Sequence, residues 1–235
     1  MKRQTWIDWF LSQPENQLFV RIDDDYLRNI YNFYGIKQKI SNFQASYELI
    51  LKNYVPPWHA NTQLESQVFV LEQQTAHLYG LLHARYLLTL EGMEKIYQKY
   101  IRNEFPHCPR VLCRKIGCLP FGVSNNMSEY PVKMFCPNCN DVYNVKDPIF
   151  SKVDGSFFGN SWIPLFLKKY RHIIPSNKAR AHVPKIFGFD VLLGSDSDSD
   201  SNSKENDKSD ISNDNQDNDM AAVTIKDINE NTDES

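Results

Sequence analysis

Four of the five cysteines in this 235-residue chain fall into two short pairs. Cys108 and Cys113 form a C-x4-C knuckle, Cys136 and Cys139 a C-x2-C knuckle, and 22 residues separate the pairs. Each spacing lets two thiolates face one cation, and the intervening segment is long enough to run out as a strand and return. Four soft thiolates at tetrahedral reach select Zn2+. A closed four-sulfur shell leaves no open position for a reacting molecule, so the expected metal is structural, one Zn2+ per chain, with no catalytic role. Spacing alone leaves two further candidate ligands open. Cys113 and Cys118 are also related by C-x4-C, and His107 adjoins the first knuckle.

The segments around the knuckles predict what must position them. Pro, Gly, Asn and Cys become frequent over 105–160, and the runs between them are short. Val132-Lys133-Met134-Phe135 leads into the second knuckle and Val142-Tyr143-Asn144-Val145 leaves it, the pattern of a small antiparallel zinc ribbon. Upstream, 5–104 reads as a helical domain. Asp23 to Asp25 precede a helix stopped near Gly35. Ser41 is positioned to cap a helix through Phe43 and Leu51 that Pro56-Pro57 ends. Thr62 with Glu65 makes a capping box for a long helix carrying Val68, Leu71, Leu78, Leu82 and Tyr86. Glu91-Gly92 is expected to break it before a last helix from Met93 to Ile101. Trp6, Trp9 and Phe10 cluster in one short helix, expected in the core, and His83 and Arg85 read as packing or surface groups.

Downstream, 161–193 is apolar but punctuated by Pro164, Pro175 and Pro184, and is expected to be an extended arm. From Gly194 to Ser235 there are 13 Asp and Glu against three Lys, with almost nothing apolar to bury, so 194–235 is expected to be a disordered acidic tail. The rest of the chain carries 16 acids against 23 bases, a mildly basic body that the overall charge of -3 conceals. Such a sign change points to a regulatory or interaction arm. No apolar run approaches a bilayer span and no charged-then-apolar leader pattern opens the chain. The expectation is a soluble protein of cytoplasm and nucleus with no membrane partner.

Several stretches together resemble one family. They are Trp6-Ile7-Asp8-Trp9-Phe10, Leu78-Tyr79-Gly80-Leu81-Leu82-His83-Ala84-Arg85-Tyr86, the knuckles Cys108-Pro109-Arg110-Val111-x-Cys113 and Cys136-Pro137-x-Cys139-x-Asp141-Val142-Tyr143, then Asp154-Gly155-x-Phe157-Phe158-Gly159 and Val183-Pro184-Lys185-Ile186-Phe187-Gly188-Phe189. In order and spacing the chain resembles the regulatory (beta) subunit of protein kinase casein kinase 2 over about residues 5 to 190. The resemblance selects Cys108, Cys113, Cys136 and Cys139 as ligands and leaves Cys118 as an extra thiol. It implies a non-catalytic scaffold that forms a homodimer through its ribbon, carries two catalytic (alpha) subunits on the arm, and modulates their activity and choice of kinase substrates. The chain has no Gly-rich nucleotide loop, His-Arg-Asp loop or Asp-Phe-Gly, which fits that role.

On this resemblance Phe187, Phe189 and Val191 are the docking anchors, and their alternation puts them on one face of an extended strand. Phe187 stands where the family usually carries Tyr. The family's acidic polyamine-regulated loop has no counterpart, since Lys52 to Ala60 contains no acid. In the tail, Ser195 and Ser197 each have an acid three residues on, the acidophilic pattern, and are expected phosphosites of the bound kinase. The alternative from another class is a nucleic-acid-binding zinc ribbon, supported by the basic body and by Arg110, Arg114 and Lys115 beside the first knuckle. Against it, no interleaved basic and aromatic surface is evident.

Overall fold

A computed structural model describes residues 4–52, 54, 62–176, 179 and 182–190. The chain divides into two units, Met1–Pro184 and Lys185–Ser235. The expected tail, the Pro56-Pro57 stop and most of the acid-free loop lie outside the described residues, as do the side chains of the Thr62–Glu65 pair.

The first unit is mainly helical. In α1 (Trp6–Ser12) the Thr5 hydroxyl accepts from the Asp8 N–H while the Asp8 carboxylate accepts from the Thr5 N–H, a reciprocal cap. Trp6 and Phe10 stack at 5.0 Å and turn into the core against Tyr79. The helix α2 is short (Asp24–Arg28) and a 3-10 turn follows it before Gly35. α3 (Phe43–Leu51) starts after Asn42 rather than Ser41; the Asn42 N–H donates to the Gln74 side chain, so a contact with the long helix sets its start.

α4 (Thr62–Tyr86) is the axis of the unit. Leu78, Tyr79, Leu82 and Tyr86 are buried in a row at helical spacing. The Tyr79 hydroxyl accepts from the Ile22 N–H and donates to the Val20 carbonyl, and the Tyr86 hydroxyl donates to Asp23 at 2.7 Å. Helix face and preceding loop are thus held by backbone groups that would otherwise be buried unpaired. The expected break at Glu91-Gly92 is displaced. The chain leaves the helix at Leu87–Thr89, Thr89 caps α5 (Leu90–Ile101), and Gly92 lies in its first turn donating to the Thr89 hydroxyl. A Cβ at Gly92 would stand 2.1 Å from the Tyr86 carbonyl oxygen, so glycine is required there for close approach, not for breaking.

The ribbon has three antiparallel strands, β1 (Leu119–Phe121), β2 (Lys133–Cys136) and β3 (Asp141–Asn144), in that order. It belongs to the same compact unit as the helices. The turn Gly155–Phe157 packs on α4, with the Phe157 ring over Gly80, where a Cβ would lie 2.4 Å from it. At the ribbon's edge the Gly122 N–H donates to the Gly159 carbonyl, and a Cβ on Gly122 would lie 2.1 Å from the Gly155 oxygen and 2.9 Å from the Gly159 nitrogen. Both obstacles are backbone. Gly122→Ala is therefore expected to destabilise the unit by about 3 kcal/mol, read as a Tm lowered by several degrees; an unchanged Tm would show that the two segments separate freely.

The beginning of the expected arm is not extended. Trp162–Lys169 form α6, with Trp162, Ile163 and Phe166 buried. Pro164 sits in its first turn, where a missing N–H leaves no hydrogen bond unmade. In the second unit, β4 (Lys185–Ile186) and β5 (Phe189–Asp190) pair as a hairpin around Phe187-Gly188. Among the described residues no helix is long and apolar enough to cross a membrane.

Candidate metal centre

The first knuckle is a 3-10 turn, Val111–Cys113, followed by Arg114 and Lys115 with φ of 58° and 54°. The second joins the end of β2 to β3, and Asn140 after it has φ of 53°. Arg114 and Lys115, non-glycine residues in the left-handed region, cost about 1 kcal/mol or more each, while asparagine tolerates that region better. The four sulfurs of Cys108, Cys113, Cys136 and Cys139 all lie within 4.8 Å of one another. Cys108 and Cys139 are 3.8 Å apart, Cys113 and Cys136 3.4 Å.

That donor set fits a metal ion. Around a tetrahedral centre with bonds of about 2.3 Å, sulfurs sit about 3.8 Å apart. N–H donors face the sulfurs: the Asn138 amide reaches Cys113 at 3.3 Å and the Cys139 N–H reaches Cys136 at 3.4 Å. Such donors favour thiolate over thiol and orient it. Hydrogen bonding to the Cys118 thiol and burial push the Cys136 thiol up, and burial pushes Cys108 and Cys113 up. Burial also opposes ionisation of Cys139, but hydrogen bonds with Tyr143, Cys113, Cys108 and Arg110 overcome it and hold that thiol at about 7. Without a cation the cage thus favours few charges; a dication would deprotonate all four. Cys118 and His107 stand outside the four-sulfur cluster. His107 contributes a backbone bridge to Gly117, and Cys118 is buried beside the cluster.

One residue of α5 connects the centre to the helices. Tyr100, near the end of α5, lies 3.3 Å from where a Gly117 Cβ would stand, between the knuckle and β1. Burial and the nearby Cys136, Cys118 and Cys113 sulfurs push its hydroxyl up to about 12. Nothing in the spacing of the cysteines points to Tyr100; its place in the apolar stripe of α5 is the only signal.

Apolar side chains beside both knuckles reach the surface. Val111 is 94% exposed, Val142 is exposed and Tyr143 half-buried. Phe187 and Phe189 do not share one face of an extended strand. Phe187 (φ 51°) and Gly188 (φ 86°) are the two turn residues of the hairpin, and Phe189 pairs with Ile186. A two-residue turn with both φ positive matches the twist of its strands, and Gly188 supplies one of the two positions without strain. Both phenylalanines are exposed. Val191, Ser195 and Ser197 lie outside the described residues.

Known proteins resemble the chain over the same span. A sequence profile of the family described as casein kinase II regulatory subunit matches residues 5–190. The casein kinase II subunit beta of Schizosaccharomyces pombe is 36% identical over 188 residues, 80% of this chain and 79% of that protein. Casein kinase II subunit beta-2 of Neurospora crassa is 33% identical over 186 residues, 79% of this chain and 64% of its own length. The beta' subunit of Saccharomyces cerevisiae is 33% identical over 186 residues, 79% of this chain and 72% of that protein. With a four-thiol cage between two knuckles, and a match running from Thr5 to Asp190, this chain belongs to the casein kinase II regulatory subunit family and is a regulatory, not a catalytic, component of that kinase.

Proposed function

We propose that the chain is a scaffold in which one Zn2+ in the Cys108, Cys113, Cys136, Cys139 cage folds a ribbon, the ribbon joins two copies, and each copy docks a catalytic subunit through Phe187 and Phe189. The observation carrying this reading is the closed cage immediately beside exposed Val111. A ribbon of three short strands cannot bury enough apolar surface to hold itself, so metal binding supplies the missing folding free energy. An apolar side chain 94% exposed at the turn between two ligands is placed to meet its twin. Exposed aromatics on a tight hairpin are likewise suited to a pocket on a partner. Phosphorylation of Ser195 and Ser197, recruitment of kinase substrates, and residence in cytoplasm and nucleus belong to the same proposal.

The test is light scattering with metal analysis, on the chain alone and mixed with a casein kinase II catalytic subunit. A dimer with one zinc per chain that takes up two catalytic subunits is expected. A zinc-bearing monomer, or a dimer that ignores the kinase, overturns the corresponding half. Phe189→Ala is expected to weaken kinase binding about thirtyfold, or about 2 kcal/mol, by calorimetry, with dimer and zinc unchanged. Unchanged affinity would assign docking elsewhere.

A further inference from the structure

The fifth thiol is not placed at random beside the cage. The register of β1 with β2 pairs Leu119 with Phe135, Pro120 with Met134 and Phe121 with Lys133. Continued by one residue it sets Cys118 opposite Cys136. The Cys118 N–H donates away from β2, to the Pro106 carbonyl at 2.8 Å. Because N–H and C=O of a strand residue point the same way, Cys118 and Cys136 form a non-hydrogen-bonded cross-strand pair, the closer kind, with Cα atoms about 4.5 Å apart. That separation falls within disulfide range, about 4.4–6.8 Å, so a bond there needs no backbone movement. Both residues are buried in one cluster with Cys108, Cys113 and Met134. Cys139 is the one half-exposed sulfur of the five, and its N–H touches the Cys136 sulfur.

We propose that Cys118 is a resolving thiol that makes the metal centre a peroxide-sensitive switch, an inference that rests on the metal reading above. Hydrogen peroxide meets the half-exposed Cys139 sulfur; an S–O bond forms as the O–O bond breaks, and one water leaves. The Cys136 sulfur attacks the resulting sulfenic acid, forming the Cys136–Cys139 disulfide and releasing the second water. Cys118 then attacks the Cys136 sulfur, and Cys139 departs as a thiolate that takes the Cys118 proton. The Cys118 and Cys136 sulfurs have given two electrons to one peroxide, which with two protons from solvent has become two waters, while the Cys118 proton rests on Cys139. The product is a Cys118–Cys136 bond across β1 and β2, buried and unstrained. Cys136 is no longer a ligand, so the metal leaves. Exchange toward the buried, better-fitting bond makes the oxidised state resist weak reductants. By this route the dimer would come apart under peroxide and reassemble on reduction.

The full-length, zinc-loaded protein is treated with hydrogen peroxide, alkylated and digested for disulfide mapping while a chromophoric chelator reports zinc release. Cys118→Ala and the better-filling Cys118→Val are compared. The wild type is expected to yield a 118–136 linkage with zinc release. Both variants should still bind one zinc, stop at a 136–139 linkage, and recover zinc on mild reduction about fivefold faster or more. Linkages confined to Cys108, Cys113, Cys136 and Cys139, or equal recovery in wild type and variants, overturn the proposal. A protein that purifies without metal overturns the metal reading alone, because the disulfide map remains readable without it.

Discussion

On the proposed scaffold reading, Cys113→Ser is expected to strip the metal from the chain, unfold the ribbon and turn the dimer into a monomer. Cys113 is fully buried, its sulfur lies 3.4 Å from that of Cys136, and the Asn138 amide is aimed at it. A serine hydroxyl is a poor soft-metal ligand and is shorter, so a three-sulfur site remains around a cation that needs four donors. Structural zinc supplies about 10 kcal/mol or more of apparent folding free energy, far above what three short strands hold by themselves. The strained turn at Arg114 and Lys115 adds to what the metal must offset. Loss should spread to α5 through the Tyr100–Gly117 contact and to the part of the core that Leu119 and Val132 join, while α1 and α4 keep the Trp6 and Phe10 contacts with Tyr79. The measurement is zinc content with light scattering and far-UV circular dichroism, alongside wild type treated with a chelator. Variant and chelated protein should match: no zinc, halved mass, most helix retained. A Cys113→Ser protein that stays dimeric would separate dimerisation from the metal. Cys118→Ala is the control, because Cys118 lies outside the four-sulfur cluster.

What the sequence revealed and what it concealed divide along physical lines. The cage was legible because thiol chemistry fixes its spacing, and the buried face of α4 because packing fixes its period. β1 was not, since Leu119-Pro120-Phe121 carries a proline, yet Pro120 costs no ladder bond in a strand at the end of the order. Gly92 misled because glycine breaks helices by propensity, while here it admits the Tyr86 carbonyl. From Phe187 to Phe189, alternating Phe and Gly reads as an extended strand. The same Gly188 also permits a hairpin, and only long-range or local pairing energies choose between them. Arm and α6 differ for a related reason: Pro164 is a breaker in a helix interior and harmless in a first turn.

His83 was the least legible residue, since a histidine on an apolar helix face gives no sign of what its nitrogens meet. It is fully buried on α4, one turn from Gly80, between the rings of Phe19 and Phe158. Its Nε2 accepts from the Val20 N–H at 3.1 Å, so Nδ1 carries the proton and donates to the Phe157 carbonyl at 2.8 Å. The ring therefore joins the N-terminal loop, the long helix and the turn behind the ribbon, and it must stay neutral to do so: a second proton would remove the acceptor that Val20 needs. Burial, with a smaller contribution from the Lys99 charge, lowers its pKa from 6.5 to about 4, against the opposing pull of the Phe157 hydrogen bond. A lowered folded pKa means that the unfolded chain takes the proton first. The stability from neutral His83 is complete above about pH 6.5, is lost as pH falls toward 4, and levels off below; the full loss is about 3 kcal/mol. His83→Leu is expected to cost about 3 kcal/mol at pH 7, because the Val20 N–H and Phe157 carbonyl are left buried without partners, and to remove most of this acid slope. Urea unfolding of both proteins from pH 7.5 to 4 supplies the comparison. Carboxylates and metal ligands titrate in both, so the difference between the curves belongs to His83. It should shrink by about 3 kcal/mol as pH falls from 6.5 to 4, and a constant difference would show that the ring is held by something other than its neutral hydrogen bonds.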